Sequence, residues 1–383
     1  MNKKLMALAV AGAFGVPAAA VAQVEIYGRA NVFVDSYQAT GATAANSDFK
    51  SRTRVNDQGS RLGFRGREDL GGGLRAVYQI ESGVNLDTGS NQTSVNGGPT
   101  NSSTATLATR DSFVGLEGGW GRVLLGRQPL YYGNGIIEQV TSNYVNVGLP
   151  LFSGNLLVGN PTARTNNVLS YTTKTFSGVD ATLAYSPQSE GVGANANTDA
   201  KITALTARYS GRVNAQVDWA KNKKQTPVAL GGNGDITGVK LGVGYPYAPG
   251  AQIAFVYVSQ KQENVAAVGG FVSAGDTIKA KGWGINWEHI FGNIQALAQY
   301  ARTNDLSGCT GDCSATKANM YMVGAKYLFS KRTGAYATFN QIKNDTKGFT
   351  DFSNGGGYAP GPLAVGNAGA DPRVIALGIM HNF

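Results

Sequence analysis

Apolar and polar side chains alternate at every second position along much of this chain, most plainly in the stretch 59–83, GSRLGFRGREDLGGGLRAVYQIESG. Leu62 and Phe64 alternate with Arg61, Arg65 and Arg67. After the turn, Leu74, Ala76, Tyr78 and Ile80 alternate with Arg75, Gln79 and Glu81. A period of two sends the two sets to opposite faces of a β-strand, and Glu68-Asp69-Leu70-Gly71-Gly72-Gly73 supplies the positive-φ conformations of a tight turn. This stretch reads as a hairpin with one apolar face and one charged face.

The same rule predicts sixteen strands, near residues 24–37, 58–67, 73–84, 109–117, 121–128, 165–175, 178–187, 201–210, 212–222, 236–246, 250–260, 279–290, 292–303, 317–328, 333–343 and 373–383. Short turns such as Phe176-Ser177-Gly178, Tyr247-Ala248-Pro249-Gly250 and Phe329-Ser330-Lys331 alternate with polar loops near 38–57, 85–108, 188–200, 223–235, 261–278, 304–316 and 344–372. Strands of roughly 9 to 11 residues suit a tilted bilayer crossing, and short turns on one rim with long loops on the other are the rhythm of an up-and-down barrel.

One parity carries Val179/Ala181/Leu183/Tyr185, Val213/Ala215/Val217/Trp219, Val239/Leu241/Val243/Tyr245, Trp283/Ile285/Trp287, Ile294/Ala296/Ala298/Tyr300, Tyr321/Val323/Ala325/Tyr327 and Ile375/Leu377/Ile379. No charge interrupts these sets, as a lipid-facing surface requires where a mid-membrane cation costs about 2–4 kcal/mol. The other parity holds Arg29, Asp180, Arg208, Asp218, Lys240, Glu288, Lys326 and Arg332, which demand water. An open sheet edge in hydrocarbon leaves backbone groups unpaired at several kcal/mol each, so the strands must close. The predicted fold is an all-β, 16-stranded antiparallel transmembrane β-barrel.

Residues 1–22 read as a cleaved signal peptide: Lys3 and Lys4, an apolar core from Leu5 to Val16, and the small-x-small site Ala20-Val21-Ala22. The remainder, 23–383, reads as a single barrel. A chain of 383 residues would ordinarily suggest two domains, yet no linker divides it and its 53 glycines are spread throughout. The formal charge of +9 loses two with the signal lysines. The basic side chains are dispersed at strand spacing instead of gathered into a patch, so no nucleic-acid partner is expected, and Lys221, Lys223 and Lys224 read as a solvated rim.

The chain resembles the trimeric general porins of Gram-negative outer membranes, and within them the anion-selective subgroup. The resemblance rests on Val24-Glu25-Ile26-Tyr27-Gly28, the hairpin from Ser60-Arg61-Leu62-Gly63 through Glu68 to Leu74, and the pair Phe113-Val114-Gly115-Leu116 and Gly126-Arg127. Asn166-Asn167-Val168-Leu169-Ser170-Tyr171 and the terminal Phe383 complete it. It implies a homotrimer among outer-membrane lipids, with the third long loop, about 128–163, folded into the pore. It also implies that Phe383, with Ile379, Leu377 and Ile375, is the assembly signal read by the barrel insertion machinery; His381 stands where the family usually has an aromatic residue. The constriction arginines it implies are Arg61, Arg110 and Arg164, with Arg29, Arg65 and Arg75 neighbouring by parity and Glu138 the acid in the loop; the alternative role for these arginines is simply to pair with Glu81, Asp111 or Glu117 on neighbouring strands. Arg110 shares the parity of Val114 and Leu116, so it needs a bulge or a place beyond the strand end. The implied function is passive diffusion of small anions and hydrophilic solutes; a substrate-specific channel for sugars or organic acids is the alternative, with Tyr131 and Tyr132 able to stack on a sugar.

The remaining chemistry is sparse. His289 and His381 are the two histidines, both at strand ends, so no hydrolase triad is expected; an outer-membrane lipase is the enzyme reading to exclude. No metal-ligand pattern or cofactor motif appears. Cys309 and Cys313 in an exported loop read as a disulfide. A secreted β-sandwich adhesin, which also alternates faces, would leave the membrane fraction without detergent.

Overall fold

The computed structural model describes residues 24–87, 107–130, 164–187, 201–223, 234–352 and 365–383. The expected signal segment and most of the expected third long loop, including Tyr131, Tyr132 and Glu138, lie outside the described residues. The first half contributes β1 (Glu25–Thr40), β2 (Phe49–Asp57), β3 (Arg61–Gly71), β4 (Leu74–Gly83), β5 (Ser112–Gly118), β6 (Gly121–Pro129), β7 (Arg164–Thr173) and β8 (Val179–Pro187). The second contributes β9 (Lys201–Ser210), β10 (Asn214–Lys223), β11 (Ile236–Ala248), β12 (Ala251–Gln262), β13 (Ile278–Phe291), β14 (Ile294–Thr303), β15 (Ala318–Leu328), β16 (Thr333–Asn344) and β17 (Asp371–Asn382).

Each strand from β3 onward pairs antiparallel with the next, and β17 pairs with β1 from Arg29↔Asn382 to Thr40↔Asp371, which closes the ring. The final bonds run between Gly28 and Phe383, amide to carbonyl in both directions at 3.0 and 3.1 Å. β1 meets β2 along its upper half and β3 along its lower half. These two segments therefore act as one barrel stave broken at Gln58-Gly59-Ser60, and the described strands make sixteen staves.

The expected loop 38–57 is corrected by β2. The stave rises past the membrane, where alternation sets Lys50, Arg52 and Arg54 against Ser51, Thr53 and Val55 and no apolar stripe marks it. The third loop also begins later than expected, because β6 runs through Pro129.

The faces are inverted relative to a water-soluble protein. Leu183, Leu205, Val217, Leu241, Val323 and Leu377 point outward and are exposed, while Asn31, Thr206, Asp218, Lys240, Asn286 and Asn340 are buried inside. The inner wall is not uniformly polar: Val256, Val258, Met320, Met322 and Val374 face inward from β12, β15 and β17. Above the long-loop rim, Val265, Phe271, Val272 and Ile278 pack with Leu306 and Phe349, and Cys309 is joined to Cys313. At the short-turn rim an aromatic belt runs through Trp120 stacked on Tyr171, Trp287 donating to the Tyr247 hydroxyl at 2.9 Å, and Tyr327 against Phe329. Amphipathic rings suit that headgroup level.

Candidate functional site

The inner wall gathers its cations where β1, β3 and β4 meet. Arg29 and Arg61 sit directly opposite each other in register, and Arg61 follows the stave break. In that break the Asn31 amide donates to the Ser60 hydroxyl at 2.9 Å and the Ser60 amide to Asp57 at 3.1 Å, so side chains replace ladder bonds beside the arginines. Like charges directly opposed across strands destabilise a sheet. Glu81, buried on β4, offsets this: its carboxylate accepts from the Tyr27 hydroxyl at 3.0 Å and pairs with the Arg61 guanidinium at 3.7 Å and that of Arg110 at 2.5 Å.

Arg110 lies outside the β5 ladder, just before Ser112, after Ala108 at a φ of 60°. Its amide donates to the Glu81 carbonyl at 2.9 Å. Freed from strand parity, it is the hub of the group, within Coulombic range of Arg29, Arg61, Arg127 and Arg164. Arg164 opens β7 and pairs with Asp111. The structure thus brings Arg29, Arg61, Arg110 and Arg164 together.

Arg127 joins them unforeseen. A bulge between Gly126 and Gln128 breaks the register of β6 with β7, and Gly126 adopts a φ of 138°, where a Cβ would stand 2.3 Å from the Ser112 carbonyl oxygen. The bulge aims Arg127 at the Thr109 carbonyl, 3.0 Å away, and at Asn166. A glycine inside a strand is the sequence mark of such a bulge. Five arginines against Glu81 and Asp111 leave three positive charges in excess.

Arg65 and Arg75 stand apart. They lie toward the short-turn rim, Arg65 paired with Glu25 at 2.6 Å and stacked over the Tyr27 ring, Arg75 paired with Glu117 at 3.2 Å. Each carries its own counter-charge, so neither adds to the cluster. Beside Asp111 a cavity of about 140 Å³ has a mixed lining, with Gln79, Arg122, Gln128 and Thr182 among its polar residues and Phe113 and Leu124 among its apolar ones. His289 belongs to the aromatic belt, its Nδ1 2.9 Å from the Tyr247 hydroxyl, and the His381 ring stacks with that of Phe383. Among the described residues no group of three or more His, Cys, Asp or Glu is placed to hold a metal ion.

A model of the Gram-negative porins matches residues 7–347. The chain belongs to that family. This porin is 28% identical to an outer membrane porin protein of Bordetella pertussis, over 90% of its own length and 95% of the relative's. Among solved structures it matches an anion-selective porin from Comamonas acidovorans at a TM-score of 0.71 and 23% identity, covering 94% and 100% of the two chains. OmpT of Vibrio cholerae in its trimer form matches at a TM-score of 0.62 and 13% identity, covering 94% and 99%. Family and barrel place this porin in the Gram-negative outer membrane, where its strands cross the bilayer.

Proposed function

We propose that this porin passes small hydrophilic solutes and ions by passive diffusion, prefers anions, assembles as a homotrimer and catalyses no reaction. The observation that carries the preference is the excess of arginine over carboxylate around Glu81 and Asp111. A guanidinium stays charged at any working pH and sheds water more easily than an ammonium, and low-dielectric walls focus its field into a narrow passage. The anion-selective porin from Comamonas acidovorans supports the same reading, and OmpT in its trimer form supports the assembly. Phe383, whose ring lies against Gly28 at the closing seam, serves in this reading as the handle for the insertion machinery.

In planar bilayers under a salt gradient, the reversal potential should report anion preference, and a clear cation preference would defeat the proposal. The detergent-extracted particle should have the mass of three chains; a one-chain mass counts against the trimer. Purified protein should leave phospholipid unhydrolysed.

A further inference from the structure

We propose that the cavity beside Asp111, in the inner wall between β4 and β9, binds a small aromatic monocarboxylate, with Arg122 holding the carboxylate and the apolar lining holding the ring. The inference rests on the transport reading and narrows it, because it names a class of solute that pauses in the passage.

The cavity lies where the inner wall runs short of side-chain volume. From β5 to β10 one row of that wall reads Gly115, Leu124, Ser170, Ala184, Ala204 and Ala220, each opposite the next in register. Leu124 is its one large side chain. The next row toward the short turns reads Arg122, Thr172, Thr182 and Thr206, again in register, so longer polar side chains form a shelf under the hollow. Phe113 and Leu130 add apolar surface to the lining. The volume of about 140 Å³ suits one six-membered ring; an apolar cavity of about 150 Å³ takes up benzene.

The polar part of the lining is largely engaged within the wall. The Gln79 amide donates to the Asp111 carbonyl at 3.2 Å, and the Gln128 amide donates to the Val168 carbonyl at 3.2 Å while accepting from the Ser170 hydroxyl at 2.7 Å. The Thr172 and Thr182 hydroxyls share a hydrogen bond of 2.9 Å, and the Thr206 hydroxyl donates to Asp218 at 2.5 Å. Asp111 is paired with Arg164. Arg122 differs. Its partner in register, Glu117, is paired with Arg75 at 3.2 Å, and the Arg122 guanidinium makes neither an ion pair nor a hydrogen bond among the described residues. A sugar, with a ring of hydroxyls to satisfy, meets few open partners here. A flat apolar ring with a single carboxylate meets an apolar hollow and one open guanidinium fork.

The charges are arranged for that orientation. Asp111 directly precedes Ser112, which faces Arg127, whereas Arg122 faces Glu117 at the other end of β5. The acid of the lining, already answered by Arg164, is therefore at the opposite end of the cavity from the open guanidinium. Arg110, Arg127 and Arg164 stand at the Asp111 end and raise the local concentration of anions there. An inorganic anion has no use for the apolar hollow and passes on, while a ring-bearing one is held.

The test uses the detergent-extracted full-length protein in planar bilayers, with benzoate as the probe. Benzoate should depress the wild-type chloride current saturably. Acetate, which has the charge without the ring, benzyl alcohol, which has the ring without the charge, and glucose should each need at least about tenfold more for the same depression. Arg122→Gln should raise the half-blocking benzoate concentration at least about tenfold, and Arg122→Lys, which keeps the charge without the fork, should recover part of that loss. Ala204→Leu, which fills the hollow, should remove the saturable block. Arg65→Gln, away from the cavity, should match wild type. Heat-dependent gel migration confirms that each variant is folded. Equal potency of acetate, benzyl alcohol or glucose overturns the proposal, as does a wild-type response in Arg122→Gln or Ala204→Leu. An equal loss in Arg65→Gln would make the effect one of overall charge and overturns it too. Wild-type protein that prefers chloride in a salt gradient yet shows no saturable benzoate block fails this inference alone, whereas a cation preference fails the transport reading and this inference with it.

Discussion

On the proposed reading single residues set the charge of the passage, and they do so where the backbone leaves its regular alternation. Arg61 is in register on β3, but Arg110 reaches the cluster from beyond the end of β5 and Arg127 from a bulge. Strand parity in the sequence therefore reveals Arg29 and Arg61, makes Arg110 doubtful and hides Arg127. The same parity wrongly groups Arg65 and Arg75 with the others, since alternation fixes the face of a side chain and not its height along the barrel or the presence of Glu25 and Glu117 beside it. The hub position of Arg110 leads to a quantitative expectation. One charge about 6 Å from a passing ion in water-like surroundings is worth ~0.7 kcal/mol, or about threefold in local anion concentration. The same charge disfavours a cation by the same factor, so Arg110→Ala should lower the anion-to-cation permeability ratio by about tenfold, and Arg75→Ala should leave it nearly unchanged. Equal effects of the two substitutions on the reversal potential would show that the cluster is not the selective region.

At the scale of elements, three loops on the long-loop rim are held together by carboxylates. The Lys347 ammonium, with the Ser314 amide and hydroxyl, holds the Asp312 carboxyl well below the usual carboxylate range. Asp276 is lowered by the Thr310 hydroxyl and amide and by the Ser273 amide, and Asp345 by the Thr346 amide and the Lys317 ammonium. A carboxyl whose folded pKa is depressed contributes stability that is fully present above its unfolded value, about 4, and that is lost as pH falls through the folded value. The segments 263–277 and 304–317 should accordingly resist pepsin at pH 4 and be cut at pH 2, with Asp312→Asn cut already at pH 4. Cleavage equal at both pH values, after correction for pepsin's activity on an unfolded substrate, would remove the carboxylates from this role. These loop contacts were illegible in the sequence, because they join residues 34 and 35 positions apart without any periodic pattern. The staves were legible to within a few residues, because one face of each meets lipid. β2 was missed where that lipid face ends.

For the molecule as a whole, closure and inversion are one constraint seen twice. The ring from β1 round to β17 leaves no edge of unpaired backbone in hydrocarbon, and the outer face can then be uniformly apolar only because every charge has an inner wall or a rim to occupy. Depth should therefore govern the cost of a new charge on the outer face more than local packing does. On β11, Leu241 and Thr237 share that face four residues apart, Leu241 in mid-band and Thr237 in the row between Lys221 and Lys261. Leu241→Arg should cost about 2–4 kcal/mol and Thr237→Arg about 0–1 kcal/mol, read from urea titrations of folding into lipid vesicles. The Thr237 substitution adds a cation beside two others, so its small cost should grow at low salt, whereas the Leu241 cost, a transfer into hydrocarbon, should be indifferent to salt. Comparable costs at the two positions would mean that the outward stripe of β11 is covered by protein and does not meet lipid.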